Sequence, residues 1–533
     1  MKLLICTCPE IRFDLEELVR QLTDAGRRAH LCPPLCTPAG LKQAAALARP
    51  GEPPLVAACG SARHAGLFGR LGKAANVIDV LGCAEAEEAA AAILLALEAP
   101  APAPETGPHS RSVLVVGGGI GGCQTALDLA NAGCPVYLVD ASLSLGGAMA
   151  QLDKTFPTLD CSICILGPKL VEVATHSHIE VLTHARLDRI SGRAGNFRVD
   201  LTLQPRYVDM SKCVGCGACT EVCPVIVPSR WNLGLKPRKC IRIIFAQSVP
   251  LRATIEKQYC IDCRMCLEAC ERRAINLEDV PRSRQVQVGA IVLATGARPF
   301  DPALKSEYGY GRIPAVITNL EYERIVCATG PTQGALLTCR GRAVQSLAFI
   351  QCVGSRDRRF LPYCSGYCCT ASIKEALLAL EHHAEAQVTI FYNDIRTSGK
   401  GFEEMFRRAR KAGVRFIKGL PGLIREDADG RAVICYEDLA GRGRKELTVD
   451  LAVLAVGLEA PSEGLPFQNL PPERDASGFY RPRHPILRSL ESTTPGVFLA
   501  GTSQGPKDIS ETVCQASGAA ACVLSMFAAL RQN

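Results

Sequence analysis

Short apolar runs alternate with stretches of helical periodicity along most of the chain. Near the N-terminus, apolar runs at Lys2–Cys6 and Pro54–Ala58 predict strands, and patterned segments at Phe13–Leu22 and Ala89–Leu97 predict helices. Strands that alternate with helices are typical of α/β domains. We therefore expect an α/β fold that begins with a separate N-terminal α/β domain.

Breaks in this alternation predict the domain organisation. A stretch rich in Pro and Ala follows the first domain and indicates an extended linker. Farther on, a Cys-dense stretch without periodicity interrupts a second α/β unit, as an inserted domain would. The predicted segments are the N-terminal domain at 1–98, the linker at 99–111, a dinucleotide-binding domain at 112–205, 281–340 and 451–533, the insert at 206–280, and a second, degenerate dinucleotide-type domain at 341–450.

A glycine-rich loop follows the apolar run Ser112–Val116. The loop fits the G-x-G-x-x-G pattern, whose glycines here are Gly117, Gly119 and Gly122. A helix at Cys123–Asn131, a strand at Pro135–Val139 and then Asp140 complete the order of a dinucleotide site. In such a site the pyrophosphate lies on the helix N-terminus and the acid binds the ribose 2′-hydroxyl. The alternative is a glycine cluster that serves only packing.

Further glycine elements favour FAD over NAD as the dinucleotide. A Gly-Gly pair follows Asp140, two strands end in Ala-Thr-Gly and Ala-Val-Gly, and the run VFLAG near the C-terminus precedes an aspartate. The FAD contacts predicted from these elements are Gly146, Gly147, Thr295, Gly296, Gly457, Gly501 and Asp508. With the first loop, they resemble the two-dinucleotide flavoprotein fold of the thioredoxin reductase type.

Cysteine is the unusual component of the composition, with 28 residues among 533 and a net charge of only +7. Met1 leads directly into KLLICTCPE, without the basic and apolar regions of a secretory signal, so we expect a cytoplasmic protein. Cysteines in that compartment bind metal more often than they form disulfides. No Lys/Arg run indicates nucleic-acid binding, and no apolar stretch of about 18 residues predicts a membrane span.

Two cysteine motifs in the insert have the spacing of bacterial ferredoxins. The first is C-x2-C-x2-C-x3-C-P, and the second repeats that spacing without the proline. In two-cluster ferredoxins the fourth cysteine of each motif ligates the cluster of the other motif. The predicted ligands of two [4Fe–4S] clusters are therefore Cys213, Cys216, Cys219 and Cys270 for one, and Cys260, Cys263, Cys266 and Cys223 for the other. Zinc, the alternative, prefers two well-separated cysteine pairs.

A second glycine loop, for a nicotinamide cofactor, is missing where it is expected. A strand at Leu347–Ile350, a helix at Ala371–Glu381 and a strand at Gln387–Tyr392 preserve the strand–helix–strand framework. The segment between the first strand and the helix instead holds Cys352, Cys364, Cys368 and Cys369. These cysteines predict a further cluster with non-ferredoxin spacing; a redox pair or buried thiols are the alternatives. Electrons would then reach FAD through clusters and not by hydride transfer.

Residues 112–523 resemble the A subunit of heterodisulfide reductase. The motifs that carry the resemblance are GGGIGGCQTALDLA (117–130), LDKTFPTLDCSICILGPKLVEV (152–173), AFIQCVGSRD (348–357), YCSGYCC (363–369), GKGFEEMFRRARKAGVRFIKG (399–419) and GPKDISETV (505–513). The resemblance implies a flavoprotein that passes electrons through clusters between a hydrogenase or dehydrogenase module and subunits that reduce a heterodisulfide. In methanogens of this family, the flavin bifurcates electron pairs and ferredoxin is one acceptor.

The resemblance also implies roles that spacing alone does not assign. It makes the N-terminal domain the holder of another cluster, with candidate ligands Cys8, Cys36, Cys59 and Cys83, and Cys6 and Cys32 as rivals for two of those places. It places Lys154 near the flavin, where a cation would stabilise the reduced anion in catalysis; the alternative is a surface lysine. Cys161 and Cys164 form a C-x-x-C pair, for which a redox, a cluster and a structural role stay open.

The function predicted from these features is an electron relay in a multi-subunit oxidoreductase. FAD and between two and four [4Fe–4S] clusters would carry electrons from the donor module to the acceptor module. One alternative is a stand-alone NAD(P)H-dependent flavoenzyme that resembles the small subunit of glutamate synthase. The other is a non-enzymatic scaffold whose clusters only anchor partner subunits.

Overall fold

The computed structural model describes residues 3–7, 11, 13–35, 37–47, 55–58, 76–80, 85–87, 89–91, 93, 109–338, 340–439, 441 and 443–531. The chain divides into two compact units, Met1–Pro108 with Arg483–Ser489 and His109–Pro482 with Leu490–Asn533. Each unit has hydrophobic clusters of its own.

The described residues of the first unit include a parallel four-stranded sheet and helices that pack with it. Its strands lie in the order Ala29–Cys32, Leu3–Cys6, Leu55–Ala58 and Asn76–Asp79, and its helices are Leu15–Asp24 and Pro38–Leu47. Asp14 begins the first helix because its carboxylate accepts the backbone N–H groups of Glu16 and Glu17. The predicted N-terminal α/β domain is confirmed. Outside the described residues lie Cys8, Cys36, Cys59, Cys83 and residues 99–108 of the predicted linker.

The main sheet of the second unit has five parallel strands. Their order is Val497–Leu499, Ala290–Leu293, Val113–Val116, Val136–Asp140 and Ile179–Thr183. Strands Pro482–His484 and Arg488–Ser492 precede Val497–Leu499 along the chain. Helices Ile120–Asn131, Ser162–Thr175 and Ile509–Arg531 contribute to its core with their apolar faces. Strands with consecutive buried residues, such as Val113–Val116, are expected where helices cover a parallel sheet.

The Cys-rich insert interrupts an antiparallel three-stranded sheet. That sheet contains Ala185–Arg193, Asn196–Leu203 and Arg282–Val288, and Leu203 pairs with Arg282 across the insertion point. The insert itself has short strands and one-turn helices at Ile226–Pro228, Pro237–Lys239, Ile241–Arg242, Thr254–Ile255, Ala218–Glu221 and Met265–Glu268. Because both ends of the insert meet on neighbouring strands, the flavoprotein sheet continues on either side of it. The prediction of an inserted ferredoxin-type domain is confirmed.

A second parallel sheet repeats this architecture. Its strands lie in the order Val316–Thr318, Leu451–Val456, Ser346–Val353, Gln387–Tyr392 and Arg415–Lys418, with helices Asn319–Val326, Cys368–His382 and Phe402–Lys411. An antiparallel sheet of Leu423–Glu426, Ala432–Asp438 and Gly443–Val449 accompanies it, and Arg298–Pro299 pairs with Leu458–Glu459. Two parallel sheets, each with an antiparallel companion, confirm the predicted two-dinucleotide core.

The sequence predicted no membrane-spanning stretch, but the final helix is long and apolar enough to be a candidate. This rests on length and composition alone, over Ile509–Leu530, with a mean hydropathy of 1.7; core helices pass the same test. In this fold, one of its faces packs on helix Ile120–Asn131, where Thr125 Oγ1 donates to the Ala516 carbonyl oxygen at 3.3 Å. Since Ala516 also lies in the main hydrophobic cluster, this helix forms part of the core of the domain.

Candidate functional site

The predicted dinucleotide loop lies at the carboxyl end of the main sheet, between its central strand and first helix. Gly117 has a φ of 109°, and a Cβ there would lie 2.2 Å from the Ala294 carbonyl oxygen. A Cβ at Gly122 would lie 1.8 Å from the Gly117 carbonyl oxygen, whereas at Gly119 the nearest atom is Gly147 Cα, at 4.0 Å. Packing therefore requires glycine at 117 and 122, while Gly119 leaves open space in front of the loop.

Asp140 ends the strand beside this loop. Its Oδ2 accepts the backbone N–H of Gly118 at 2.5 Å, and its Oδ1 accepts that of Ser142 at 2.6 Å. The same carboxylate lines the cleft in front of the loop. Asp140 thus holds the loop in place and presents an acceptor where a ribose hydroxyl would donate.

The cleft in front of the loop has a volume of about 670 Å³. Cofactor pockets commonly have volumes of this order. The predicted FAD contacts that line it are Gly117, Gly119, Asp140, Gly147, Thr295, Gly296, Gly501 and Asp508. These residues come from four separate strand ends and from the start of the final helix, so the fold brings distant glycine elements to one site.

Three predicted contacts lie outside the cleft lining. Gly122 lies beneath the loop, and Gly146, with a φ of 119°, forms a backbone bridge with Gly119. A Cβ at Gly457 would lie 2.3 Å from Ser355 Oγ, so this glycine makes room for the Cys-rich loop of the second sheet. These three glycines permit close approaches between backbone segments. Their direct contact with FAD stays a prediction.

Two buried polar atoms in the cleft fit a polar ligand. Among the described residues, Thr295 Oγ1 and Asn319 Oδ1 have no hydrogen-bond partner, and both residues line the cleft. Buried polar atoms nearly always have a hydrogen-bond partner. A bound cofactor would supply the partner that these two atoms lack. Asn319 was not expected from the sequence, because no motif marks the residue that follows the short strand Val316–Thr318.

Two helix N-termini also meet the cleft. Ile120 and Ile509, the first residues of their helices, both line it. Asp508 caps the second helix by accepting the N–H of Glu511 at 2.8 Å. Partial positive charge at helix N-termini attracts phosphate groups. The cleft therefore fits the pyrophosphate of a dinucleotide as well as its polar rings.

The ferredoxin cysteines form two groups in space. The pKa of Cys219 is raised to about 11, mainly by burial and then by the nearby thiols of Cys213, Cys270 and Cys216. Burial, and next the thiols of Cys260, Cys263 and Cys223, raise the pKa of Cys266. The fourth cysteine of each motif is therefore a neighbour of the other motif, which is the grouping predicted from the spacing. Their role as ligands stays a prediction.

Cys240 lies beside the second group without joining it. It is buried, and its Sγ donates to the Glu256 carbonyl oxygen at 3.3 Å, as expected for a small core residue. No three His, Cys, Asp or Glu side chains in the described ranges have the spacing for a single metal ion. A [4Fe–4S] cluster holds its thiolates farther apart than a single ion does. The lack of a single-ion site among these residues therefore says nothing about cluster sites.

A third cysteine group stands where the second glycine loop was expected. The pKa of Cys368 is raised well above its ordinary value, mainly by burial and then by the nearby thiols of Cys352, Cys369 and Cys364. Cys352 has a φ of 58° at the end of its strand, and Cys368 and Cys369 begin the following helix. The four thiols therefore converge, and the neighbouring residue Tyr367 lines the dinucleotide cleft. This group is therefore next to the cleft along the chain.

Lys154 and the cysteine pair Cys161 and Cys164 lie outside the cleft lining. Lys154 forms an ion pair with Glu381 at 2.6 Å, and its side chain is 28% exposed. Leu152 and Phe156, on either side of it, line the cleft instead. The catalytic role of Lys154 stays a prediction. Cys161 and Cys164 are joined by a disulfide.

Cys6 and Cys32, the alternative ligands for the N-terminal cluster, lie in the hydrophobic core of the first unit. Cys6 and Cys32 are opposite each other on neighbouring strands, and both are buried. Burial, and next the Cys6 thiol, raise the pKa of Cys32. Since Cys8, Cys36, Cys59 and Cys83 lie outside the described residues, the N-terminal cluster stays a prediction.

Sequence patterns missed a buried charged group behind the cleft. Lys374 and Glu323 form an ion pair with side chains only 2% and 1% exposed, and Glu323 Oε2 also accepts the Asp153 N–H at 2.9 Å. Burial, followed by the negative charge of Glu323, raises the pKa of Glu375 well above its ordinary value. Asn319, four residues before Glu323, lines the cleft. This group therefore supports one wall of the site.

Two family models and several solved structures match parts of this chain. The family described as 4Fe-4S binding domain matches residues 206–225, and the family described as Glucose inhibited division protein A matches residues 112–195. Thioredoxin reductases from T. acidophilum and Lactococcus lactis align with 78% of this chain and 99% of theirs, at 13% and 15% identity and TM-scores of 0.44 and 0.45. The iron–sulfur prediction for the insert is confirmed.

Curated relatives are much more similar in sequence. The A subunit of the H(2):CoB-CoM heterodisulfide,ferredoxin reductase of Methanothermobacter thermautotrophicus is 47% identical over 413 residues, which cover 76% of this chain and 62% of the relative. The iron-sulfur A subunit of the CoB–CoM heterodisulfide reductase of Methanocaldococcus jannaschii is 45% identical over 418 residues, which cover 78% of this chain and 64% of the relative. The chain thus spans less than two thirds of these relatives, and over the shared region it is similar to the A subunits of heterodisulfide reductases.

Proposed function

We propose that the chain is an FAD- and iron–sulfur-dependent component of an oxidoreductase complex that relays electrons between a donor module and a heterodisulfide-reductase-type acceptor module. The observation that carries this proposal is the convergence of four thiols at the end of strand Ser346–Val353, where a glycine loop was expected. A strand–helix–strand unit without those glycines lacks the pyrophosphate site of a nicotinamide cofactor. A [4Fe–4S] cluster on the thiols would transfer single electrons instead.

The arrangement of the sites supports a continuous relay. Tyr367 lines the cleft and is followed directly by Cys368 of the third group. On the other side, the insert is fastened to the cleft, because the backbone N–H of Leu145 donates to the Val249 carbonyl oxygen at 2.8 Å. Leu145 is two residues from Gly147, which lines the cleft. Both cysteine-bearing regions therefore adjoin the site proposed for FAD.

The residues of the chain hold the cofactors and set their surroundings. FAD, when bound, supplies the exchange of electron pairs for single electrons. The loop with Gly119 and the two helix N-termini would bind its pyrophosphate, Asp140 its ribose, and Thr295 and Asn319 its remaining polar groups. Burial and hydrogen bonds around the thiols would set the reduction potentials of the clusters.

The partners are proposed from the relatives. Their names specify H2, ferredoxin and the CoB-CoM heterodisulfide as reactants, and we extend these classes to this chain. A hydrogenase or dehydrogenase module would supply electrons, heterodisulfide-reducing subunits would accept them, and ferredoxin would be the second acceptor if the flavin bifurcates. Purification of the native complex, followed by identification of its subunits, tests this extension directly.

Reduction of the isolated holoprotein under anaerobic conditions tests the proposed relay. With excess NADH or NADPH, the flavin absorbance is expected to stay unchanged, because the second strand–helix–strand unit lacks its glycine loop. With dithionite, both the flavin and the cluster absorbance should bleach, and with a dye acceptor they should recover. Rapid bleaching by NADH would support the stand-alone flavoenzyme instead. Clusters that resist reduction, or a flavin that does not turn over, would support the scaffold.

Paired cysteine replacements test the crossed cluster ligands. If the grouping in space reflects ligation, Cys219→Ser with Cys270→Ser should remove one cluster, or about four irons per chain. Cys219→Ser with Cys223→Ser should damage both clusters and remove about eight irons. Iron and sulfide analysis of the anaerobic proteins, with electron paramagnetic resonance of the reduced forms, measures the difference. The opposite order of iron loss would mean that each motif ligates its own cluster.

A further inference from the structure

The disulfide Cys161–Cys164 is distinct from every other described cysteine. The cysteines of the three groups carry no disulfide. The pair has a Cα–Cα distance of 5.2 Å and lies at the beginning of helix Ser162–Thr175. Neither cysteine lines the dinucleotide cleft. The proposed flavin and cluster relay therefore gives this pair no role.

The two sulfur atoms have different surroundings. Cys164 is exposed, whereas Cys161 is half-buried and is the N-cap residue of the helix. Cys161 Sγ accepts the backbone N–H of Cys164 at 3.3 Å. A thiolate at a helix N-terminus is stabilised by the helix dipole and by such N–H groups. When the bond opens, Cys161 is thus the favoured leaving thiolate, and Cys164 is the accessible sulfur.

The backbone around the pair is held independently of the S–S bond. Ser162 Oγ donates to the Met149 carbonyl oxygen at 2.7 Å, and its N–H donates to the Asp153 carbonyl oxygen at 2.9 Å. Ser162 is buried, and Met149 lines the cleft. The first turn of the helix is therefore fixed when the disulfide is open. Such fixation keeps the two sulfur atoms in position to close again.

We infer that Cys161 and Cys164 form a redox-active pair that exchanges with external thiols and disulfides, an activity separate from the proposed relay. An external thiolate attacks Cys164 Sγ, the S–S bond breaks, and Cys161 leaves as a thiolate while a mixed disulfide forms at Cys164. A second external thiol then attacks the mixed disulfide and releases Cys164. In sum, two thiols become one external disulfide, and the chain gains two electrons and two protons. The reverse sequence reduces an external disulfide.

Equilibration of the anaerobic holoprotein with glutathione and glutathione disulfide tests the exchange. After rapid alkylation, mass spectrometry of the peptide with both cysteines should show a disulfide fraction that follows the glutathione ratio. The transition should have the steepness of a two-electron couple, about 30 mV for each tenfold change. A disulfide that stays closed at every ratio, or two thiols that stay free at every ratio, would overturn the inference. Neither outcome depends on flavin or cluster activity.

Single replacements identify the roles of the two sulfur atoms. With glutathione disulfide, Cys161→Ser should accumulate a mixed disulfide at Cys164, about tenfold more than Cys164→Ser accumulates at Cys161. The unchanged chain should accumulate little, because Cys161 resolves the intermediate. Cys514→Ser, at an exposed free cysteine, is the matched control and should behave as the unchanged chain does at this peptide. Equal accumulation in the two single variants would contradict the assigned roles.

Discussion

Replacement of Gly119 by valine is expected to abolish flavin binding while the fold persists. The φ of Gly119 is −72°, which any residue adopts, and a Cβ there meets no atom closer than 4.0 Å. The valine side chain would fill the space in front of the loop, where the pyrophosphate must approach the backbone. A loss of about 3 kcal/mol or more in binding would weaken FAD affinity at least a hundredfold. The flavin-to-protein ratio after gel filtration measures this.

Two further glycine variants separate the loss of the ligand from the loss of the fold. Gly122→Ala should lose flavin together with stability, because its Cβ would overlap the Gly117 carbonyl oxygen. Gly167→Ala is the matched control, since that helical glycine has no atom within 4 Å of an added Cβ. It should keep its flavin. Full flavin content in Gly119→Val would exclude this cleft as the FAD site.

Replacement of Lys374 by methionine is expected to lower the free energy of unfolding by about 3–5 kcal/mol. The substitution keeps an unbranched side chain but leaves the Glu323 carboxylate buried, 1% exposed, without its cation. Its neighbour Glu375 carries no positive charge that could replace the lost cation. Urea unfolding followed by the fluorescence of Trp231, the only tryptophan, measures the loss.

Two controls separate this buried pair from ordinary charge removal. Glu323→Gln combined with Lys374→Met removes both charges and should recover at least about half of the loss. Arg425→Met breaks a surface pair with Glu446 whose side chains are 53% and 55% exposed, and should cost less than about 1 kcal/mol. A Lys374→Met variant as stable as Arg425→Met would show that the pair does not stabilise the wall of the cleft.

Local patterns predicted the parts of the site that chain geometry alone determines. The loop at Gly117–Gly122 and the acid Asp140 follow from backbone requirements that a short sequence records. Cysteine spacing likewise predicted which thiols meet in the insert, because each motif is one compact turn. Helix starts were less accurate: the first helix begins at Ile120, not Cys123. Glycines at its start lower helix propensity but permit the close packing found there.

Contacts between distant segments were beyond sequence reasoning. Glu323 and Lys374 are 51 residues apart and resemble exposed positions of two ordinary helices until the second sheet brings them together. Gly457 looked like a cofactor contact because it ends a strand, yet its neighbour in space is Ser355. Lys154 was placed near the flavin by resemblance, which stays a prediction, and its ion-pair partner Glu381 was not foreseen. No local pattern names partners that lie this far along the chain.

The attachment of the insert makes the chain modular. Leu203 and Arg282 are directly paired on adjacent strands, so the insert leaves and returns at a single hairpin position. A short turn could join these strands without a change of register, and the entropic cost of closing a longer connection grows only slowly with its length. The insert can therefore be exchanged or removed as one unit between these two residues while the strands keep their pairing.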